Sequence, residues 1–380
     1  MKKGYQEILR EFHEIANELD NPYIAEWKTS GNRVMGYIYS YIPEEIFTAA
    51  QMMPFHIRGT GSKGTELADA RFTQVSCSFA KHCLNQVLEG KLDFLDGVVV
   101  FDSCDHTQRL FDNWNALRCP PFSHVVNVPK KQGAAQTALY MQELKRLIQN
   151  LEECFKIRIS EKSLKEAIRL HNEIRILQKQ ISDLRHAECP LITGEDMLTV
   201  MVAGSSMPKQ IYKEKLECLM QSLDGVSSEN RPKARLMVIG GELDETALFS
   251  TIESQGGMVV ADSLYYGTRS MWKCVSEEGD PIQALANYYL NERPADPRLF
   301  GTGEKRKSFY LEIAKEYAVD GVICVRYPFC DRWAFEQDNT AWFLEESGLP
   351  YLRLDCEYIQ GTTGQMKTRV QAFIERILEV

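Results

Sequence analysis

The sequence predicts an α/β protein made of two parallel-sheet lobes joined by a helical segment. Short, continuously apolar runs rich in Val and Ile, such as Gly97–Phe101 and Ala234–Gly240, alternate with helix-patterned stretches. Strands that are apolar on both faces belong to parallel sheets covered on either side by helices. A charged stretch of almost wholly helical pattern, 134–230, separates the two series.

Residues 1–30 form a lead-in, an amphipathic helix followed by a turn at Asn21-Pro22. The first Rossmann-like lobe, 31–133, opens with a strand from Arg33 to Tyr39. Pro43 then starts a helix, because its missing N–H costs nothing at a first helical position and Glu44 and Glu45 complement the positive dipole end. Strand Met53–Arg58, glycine-rich loop Gly59–Gly64, helix Cys77–Leu88, strand Gly97–Phe101, helix His106–Asn115 and a last run from Ser123 to Pro129 complete the lobe. In the helical segment, 134–230, runs such as Leu164–Arg175 carry charge around an apolar stripe, which reads as a solvated helix face. No heptad is sustained, so no coiled coil is expected. The second Rossmann-like lobe, 231–380, has strands Ala234–Gly240, Met258–Ala261, Gly321–Val325 and Tyr351–Leu354, with helices over 244–254, 331–347 and 364–379. Its design matches the first lobe without any repeat in residue identity.

Bulk properties narrow the function. At 380 residues the chain is too long for one ordinary domain. A net charge of −9 argues against nucleic-acid binding, which needs clustered Lys and Arg. The N-terminal stretch is charged and helical rather than apolar, and nothing approaches a membrane span, so a cytoplasmic location is expected. Eleven cysteines are many for a reducing compartment, yet they are odd in number and scattered, which argues against a disulfide framework. Each is then either a small buried apolar residue or a metal or redox group.

Position sorts them. In open parallel sheets ligands bind beyond the carboxyl ends of the strands. Cys104 stands just past the strand ending at Phe101, and Cys330 just past the strand of the other lobe. Cys77 stands at a helix start, where the thiolate that ligates metal is favoured. Cys324 falls inside a strand, Cys83 on the second turn of a helix, and Cys154 and Cys218 in the helical segment; these read as core or incidental residues. Spacing alone makes no metal motif, since no C-x2-C pair is present among the three.

The chain resembles the subunits of the benzoyl-CoA reductase and 2-hydroxyacyl-CoA dehydratase family. The resemblance runs through Ile42-Pro43-Glu44-Glu45-Ile46 with Met53-Pro54, through Cys77-Ser78, Asp102-Ser103-Cys104-Asp105 and Phe329-Cys330-Asp331, and through Arg369–Phe373 near the C-terminus. It implies that Cys77, Cys104 and Cys330 hold a [4Fe–4S] cluster, with the fourth iron left to another ligand. It implies as partners a homologous cluster-bearing subunit, a separate ATP-hydrolysing iron–sulfur activator and an acyl-CoA substrate. The chain has no G-x-x-x-x-G-K-[ST] phosphate loop of its own, in keeping with that division.

Asp105-His106-Thr107 and Asp331-Arg332-Trp333 resemble the reductase branch, and 43.5 kDa suits its smaller cluster-bearing subunit. The implied activity is ring dearomatisation of an aromatic acyl-CoA. The alternatives are a dehydratase subunit acting through a ketyl radical and a double-cubane-type electron-transfer protein. His106 is a candidate proton donor, or simply a helix-start histidine bonded to solvent. Glu44 and Glu45 read as dipole-complementing residues rather than catalytic acids, and Trp114 and Trp333 as packing rather than a shield for the cluster. Arg58, Lys63 and Arg326 are either CoA-phosphate contacts or surface charges.

Overall fold

A computed structural model describes residues 4–359 and 364–379. The first three residues of the expected lead-in, the last residue of the second lobe and 360–363 lie outside the described residues. Among the described residues eight strands form two four-stranded parallel sheets. In the first, β1 (Arg33–Tyr37), β2 (Met52–His56), β3 (Gly97–Phe101) and β4 (Ser123–Val126) lie in the order β2-β1-β3-β4. In the second, β5 (Ala234–Ile239), β6 (Gly257–Ser263), β7 (Gly321–Arg326) and β8 (Tyr351–Asp355) repeat that order as β6-β5-β7-β8. The two sheets therefore share one topology, and β1 and β5 hold equivalent interior places. All six strand pairings are parallel. The strands β2, β3 and β6 are buried along their whole length, as continuous apolar runs demand.

The lead-in is two helices, not one helix and a turn. Tyr5–Asn17 ends before Asn21, whose side chain accepts hydrogen bonds from the Tyr23 and Ile24 N–H groups and so caps a second helix, Pro22–Thr29. Asn-Pro here is an N-cap followed by N1 proline, a start signal rather than a loop signal. Pro43 sits one place earlier than expected, at the N-cap, and Glu44–Ala49 is the helix.

The helical segment contains the helices Ala134–Phe155, Glu161–Asp183, Gly194–Gly204 and Lys209–Leu223. Reciprocal caps, Ser160 with Ser163 and Thr193 with Asp196, fix two of their starts. Between β6 and β7 the chain makes a long excursion through helices Thr268–Met271, Pro281–Asn287 and Gly303–Glu316. That excursion delivers Arg269, Arg293, Asp296 and Arg298 to the junction of the lobes, where the site lies.

One apolar core runs through the first sheet, the helical segment and one face of the second sheet. A second core, built on Met237, Ile239, Val260, Val322 and Cys324, covers the other face. Among the described residues no helix is long and apolar enough to cross a membrane.

Candidate metal centre

Each of the three selected cysteines stands at the N-cap of a helix. Cys77 precedes Ser78–Leu88, Cys104 precedes Asp105–Arg118 and Cys330 precedes Asp331–Glu346. An N-cap puts a thiolate against free N–H groups and the positive end of the helix dipole. The backbone N–H groups of Ala80 and Phe79 face the Cys77 sulfur and that of Trp333 the Cys330 sulfur, which favours the thiolate at both, while Asn21, Ser160, Thr193 and Asp280 cap their helices through oxygen. An oxygen-bearing side chain at such a place is worth about 1 kcal/mol, so the cysteines are poor choices for helix stability alone.

Cys77 and Cys330 line one cavity with Tyr39, Glu242, Tyr265, Arg332 and Trp333. Cys104 lies near enough to act electrostatically on both. Burial pushes the Cys77 thiol well up, and the neighbouring Cys330 and Cys104 push it further. Three thiolates therefore need cationic compensation to coexist here. The only His, Cys, Asp or Glu group among the described residues with all its ligand atoms within 4.8 Å is Asp183, His186 and Glu316, so the three sulfurs are more widely spread. Zn–S bonds of about 2.3 Å would draw them closer than that. The spread suits a multi-atom group better than a single ion.

Unpartnered donors around the cavity support the same reading. Arg332 Nε and Nη1, Trp333 Nε1 and Ser103 Oγ are buried without hydrogen-bond partners. Leaving such a group unpaired costs about 1–3 kcal/mol. Inorganic sulfide would offer acceptors to these donors, and Thr107 Oγ1 already lies 3.2 Å from Cys104 Sγ. A Cβ at Gly241 would stand 2.7 Å from Trp333 Nε1, so only glycine lets the indole take its place. The residues present thus fit an iron–sulfur cluster held by three cysteines. Tyr39, which lines the cavity, and Phe329, next to Cys330 in the chain, have φ of 66° and 64°. Positive φ is unfavourable for aromatic residues and collects at functional sites.

Behind the cavity sits a charged knot. Buried Asp296 meets Arg269 at 3.3 Å and Arg332 at 3.6 Å, accepts the Tyr265 hydroxyl, and accepts the Arg298 N–H at 2.8 Å. Burial alone would raise its carboxyl; Arg332, Arg269 and the tyrosine outweigh that and hold it at about 2. Glu242 on the cavity wall has its pKa raised by burial and stands 3.3 Å from His56. Nothing in the sequence marked Asp296, Arg269 or Glu242, since their partners lie far along the chain. Arg332 had one available signal, its place two residues after Cys330.

His106 is the second residue of the helix after Cys104, partly exposed, and is not among the residues lining the cavity. Cys324 and Cys83 are fully buried in strand and helix, while Cys154 and Cys218 are exposed on the helical segment. Arg58 is a buried strut, donating to the Glu18 carbonyl and Ser206 Oγ, which leaves it no surface for CoA. Arg326 is engaged by Asp355 through two 2.8 Å bonds, and Lys63 is exposed. The loop Gly59–Gly64 ties the lobes together: Tyr358 donates to Asp244 and accepts the Gly59 N–H, and Thr60 also donates to Asp244.

Glu44 and Glu45 do more than complement a dipole. Glu44 pairs with Lys209 at 2.5 Å and accepts from Tyr37; fully buried Glu45 is bound by Arg175 and Tyr289. They pin the short helix Glu44–Ala49 to the helical segment beside a second cavity of about 90 Å³.

Residues 39–377 match the model of the family described as 2-hydroxyglutaryl-CoA dehydratase, D-component. The chain is 26% identical to one of the subunits of benzoyl-CoA reductase from Thauera aromatica, covering 98% of both chains. It is 25% identical to the (R)-phenyllactyl-CoA dehydratase beta subunit of Clostridium sporogenes, over 96% of this chain and 98% of that one. It is 23% identical to the beta subunit of (R)-2-hydroxyglutaryl-CoA dehydratase of Acidaminococcus fermentans, over 97% and 99%. Its relatives are thus enzyme subunits, reductase or dehydratase, matched from end to end. With the second sheet, strands β2 to β4 of the first and all three strand-end or helix-start cysteines inside the matched residues 39–377, the chain belongs to the 2-hydroxyglutaryl-CoA dehydratase D-component family.

Proposed function

We propose that this chain is the iron–sulfur subunit of an anaerobic enzyme that delivers low-potential electrons to an aromatic acyl-CoA, in the manner of benzoyl-CoA reductase. The observation that carries the reading is three N-cap cysteines, Cys77 and Cys330 lining one cavity and Cys104 near enough to act on both, with the unpartnered donors of Arg332 and Trp333 on the same wall. Cys77, Cys104 and Cys330 are the proposed ligands of a [4Fe–4S] cluster. When bound, such a cluster supplies one electron at a potential set by net charge, hydrogen bonds to sulfur and exposure.

The chain's own residues then have definite work. Helix N-termini favour the thiolate form that ligates metal, against the burial that raises the Cys77 and Cys330 thiols. Trp333, Tyr39 and Tyr265, all buried, keep water from the cavity. His106, at the edge of the helix that Cys104 opens, is proposed as a proton carrier between solvent and a reduced substrate. Phe329 and Phe335, near Cys330 in the chain, and Val75, near Cys77, are exposed apolar side chains. Exposed apolar surface of this kind marks an interaction site, which supports a partner subunit there, with an ATP-hydrolysing activator as the electron source.

The second reading is a dehydratase subunit, favoured by the names of two of the relatives. Anaerobic purification with iron and sulfide analysis tests the cluster: a chain that stays iron-free after reconstitution defeats both readings. Assays with the partner and activator separate them. Loss of benzoyl-CoA with formation of a ring-reduced thioester supports the first; untouched benzoyl-CoA with dehydration of a 2-hydroxyacyl-CoA replaces it by the second.

A further inference from the structure

We infer that Arg332 is the positioning residue that sets the reduction potential of the metal centre, by a cationic N–H contact to the cluster. The inference rests on the cluster reading above and goes beyond it, to a side chain outside the ligand set.

Arg332 is largely buried, with Nε and Nη1 out of water, and its guanidinium lies 5.0 Å over the Tyr39 ring. A buried cation persists only when paired and hydrogen-bonded. Its one ion-pair partner among the described residues is Asp296, at 3.6 Å, and that carboxylate is shared with Arg269 at the shorter 3.3 Å. Two guanidiniums on one carboxylate leave the knot with one positive charge in excess. Arg298 does not change the count, because it has Asp102 at 3.2 Å. Glu242, the remaining carboxylate on the cavity wall, has its pKa raised by burial and stands against His56.

The guanidinium is also short of acceptors. Nε and Nη1 are both buried with no hydrogen-bond partner. Arg332 lines the same cavity as Cys77 and Cys330, and acts electrostatically on Cys330. What the guanidinium lacks is a hydrogen-bond acceptor in that cavity, since Glu242 on the same wall, standing against His56, makes no hydrogen bond to it. A [4Fe–4S] core in its usual oxidised state carries two positive charges, and three thiolates bring the total to one negative. The charges match, and sulfur supplies the acceptors.

The consequence is directional. A cation beside the cluster stabilises the reduced, more negative form more than the oxidised one, so Arg332 raises the potential. Removing its charge should shift the reduction equilibrium toward the oxidised form by about tenfold, or about 59 mV for a one-electron step. Removing Asp296 strips the knot of its only carboxylate and should shift it the other way.

The test is an anaerobic, EPR-monitored redox titration of the reconstituted full-length chain, with iron content measured on the same samples. Arg332→Gln should retain iron and titrate at a lower potential, Arg332→Lys should fall closer to wild type, and Asp296→Asn should titrate higher. Opposite shifts from two substitutions in one knot are not what general loosening of the fold produces. If Arg332→Gln holds iron at the wild-type potential, the inference is overturned while the cluster reading stands. If that variant holds no iron, Asp296→Asn decides, and a potential unchanged or lowered there overturns it. A wild-type chain that binds no iron removes the cluster reading itself.

Discussion

Cys104 and Cys330 hold the same place in the two lobes: each follows the third strand in its sheet order, β3 or β7, and each caps a helix that begins with aspartate. The two lobes share a strand order, so one strand-end position is presented twice across a single junction. Cys77, capping the helix Ser78–Leu88 that precedes β3, supplies the third thiol from the first lobe alone. The centre is therefore asymmetric, two ligands against one, and its integrity depends on how the lobes dock.

Replacing ligand and non-ligand cysteines of the second lobe should separate metal binding from packing. Cys330→Ala should abolish iron retention after anaerobic reconstitution. Cys324→Ala, four residues into β7 and wholly buried, should keep iron and lose on the order of 1 kcal/mol of stability for the small void it leaves. Burial pushes the Cys324 thiol up to about 12, so it stays protonated and inert. Iron lost from the Cys324 variant and kept by the Cys330 variant would reverse the assignment.

Cys104→Asp carries a sharper expectation. Cys104 has extended backbone geometry at its cap, φ −115° and ψ 166°, and an aspartate there can accept from the helix's free N–H groups. The metal-free variant should be about 0.5–2 kcal/mol more stable than metal-free wild type in urea unfolding, and should bind no cluster. A variant both less stable and iron-free would show that Cys104 serves packing rather than ligation.

The parallel sheets were legible because buried strands must be apolar on both faces: β3, Gly97–Phe101, matches its expected span residue for residue. The helix starts of the lead-in were misread because Asn-Pro is both a turn signal and a cap signal, and only the side-chain bonds of Asn21 decide. The three cysteines were legible as strand-end or helix-start residues, but their convergence was not, since nothing local encodes lobe docking. The Asp296 knot was illegible for the same reason. It joins Tyr265, Arg269 and Arg332 across an excursion with no strong period.

Glu45 should prove a stability residue. It is fully buried, and its carboxylate holds Arg175 and Tyr289, while Arg175 also donates to Asn172 at 3.0 Å. Glu45→Ala leaves a desolvated guanidinium unpaired, which costs about 3–5 kcal/mol. Urea midpoints should fall accordingly, and a loss under about 1 kcal/mol would mean that water reaches Arg175 readily.

Stability should fall on mild acidification. Burial holds the His171 imidazole near 4, below the ordinary 6.5, despite the carboxylates of Glu45 and Glu44 beside it. Between those values the unfolded chain binds a proton that the folded chain refuses, so lowering the pH favours unfolding. The loss from this one group builds from pH 6.5 to about 4 and is on the order of 3 kcal/mol. Glu44, held at about 2 because Lys209 and His171 outweigh its burial, extends the decline from about 4.5 downward. His171→Gln should flatten the curve above pH 4; an unchanged slope would place the titration elsewhere.

Gly241→Ala tests the indole's place at the metal centre. The added Cβ would lie 2.7 Å from Trp333 Nε1, closer than a Cβ tolerates, and a tight 3.1 Å from its Cδ1. Trp333 is only 2% exposed and packs against the second core, so it cannot swing into solvent to make room. The strain should cost about 1–3 kcal/mol, appear as a blue or red shift of tryptophan fluorescence, and lower iron retention, because the displaced indole no longer shields the cavity that holds Cys77 and Cys330. Gly240→Ala, one residue earlier and facing Leu243 and the Val325 carbonyl, should also destabilise but leave the Trp333 signal in place. Equal fluorescence changes in the two variants would mean that the indole reports general loosening of the loop after β5, and would detach Trp333 from the metal centre.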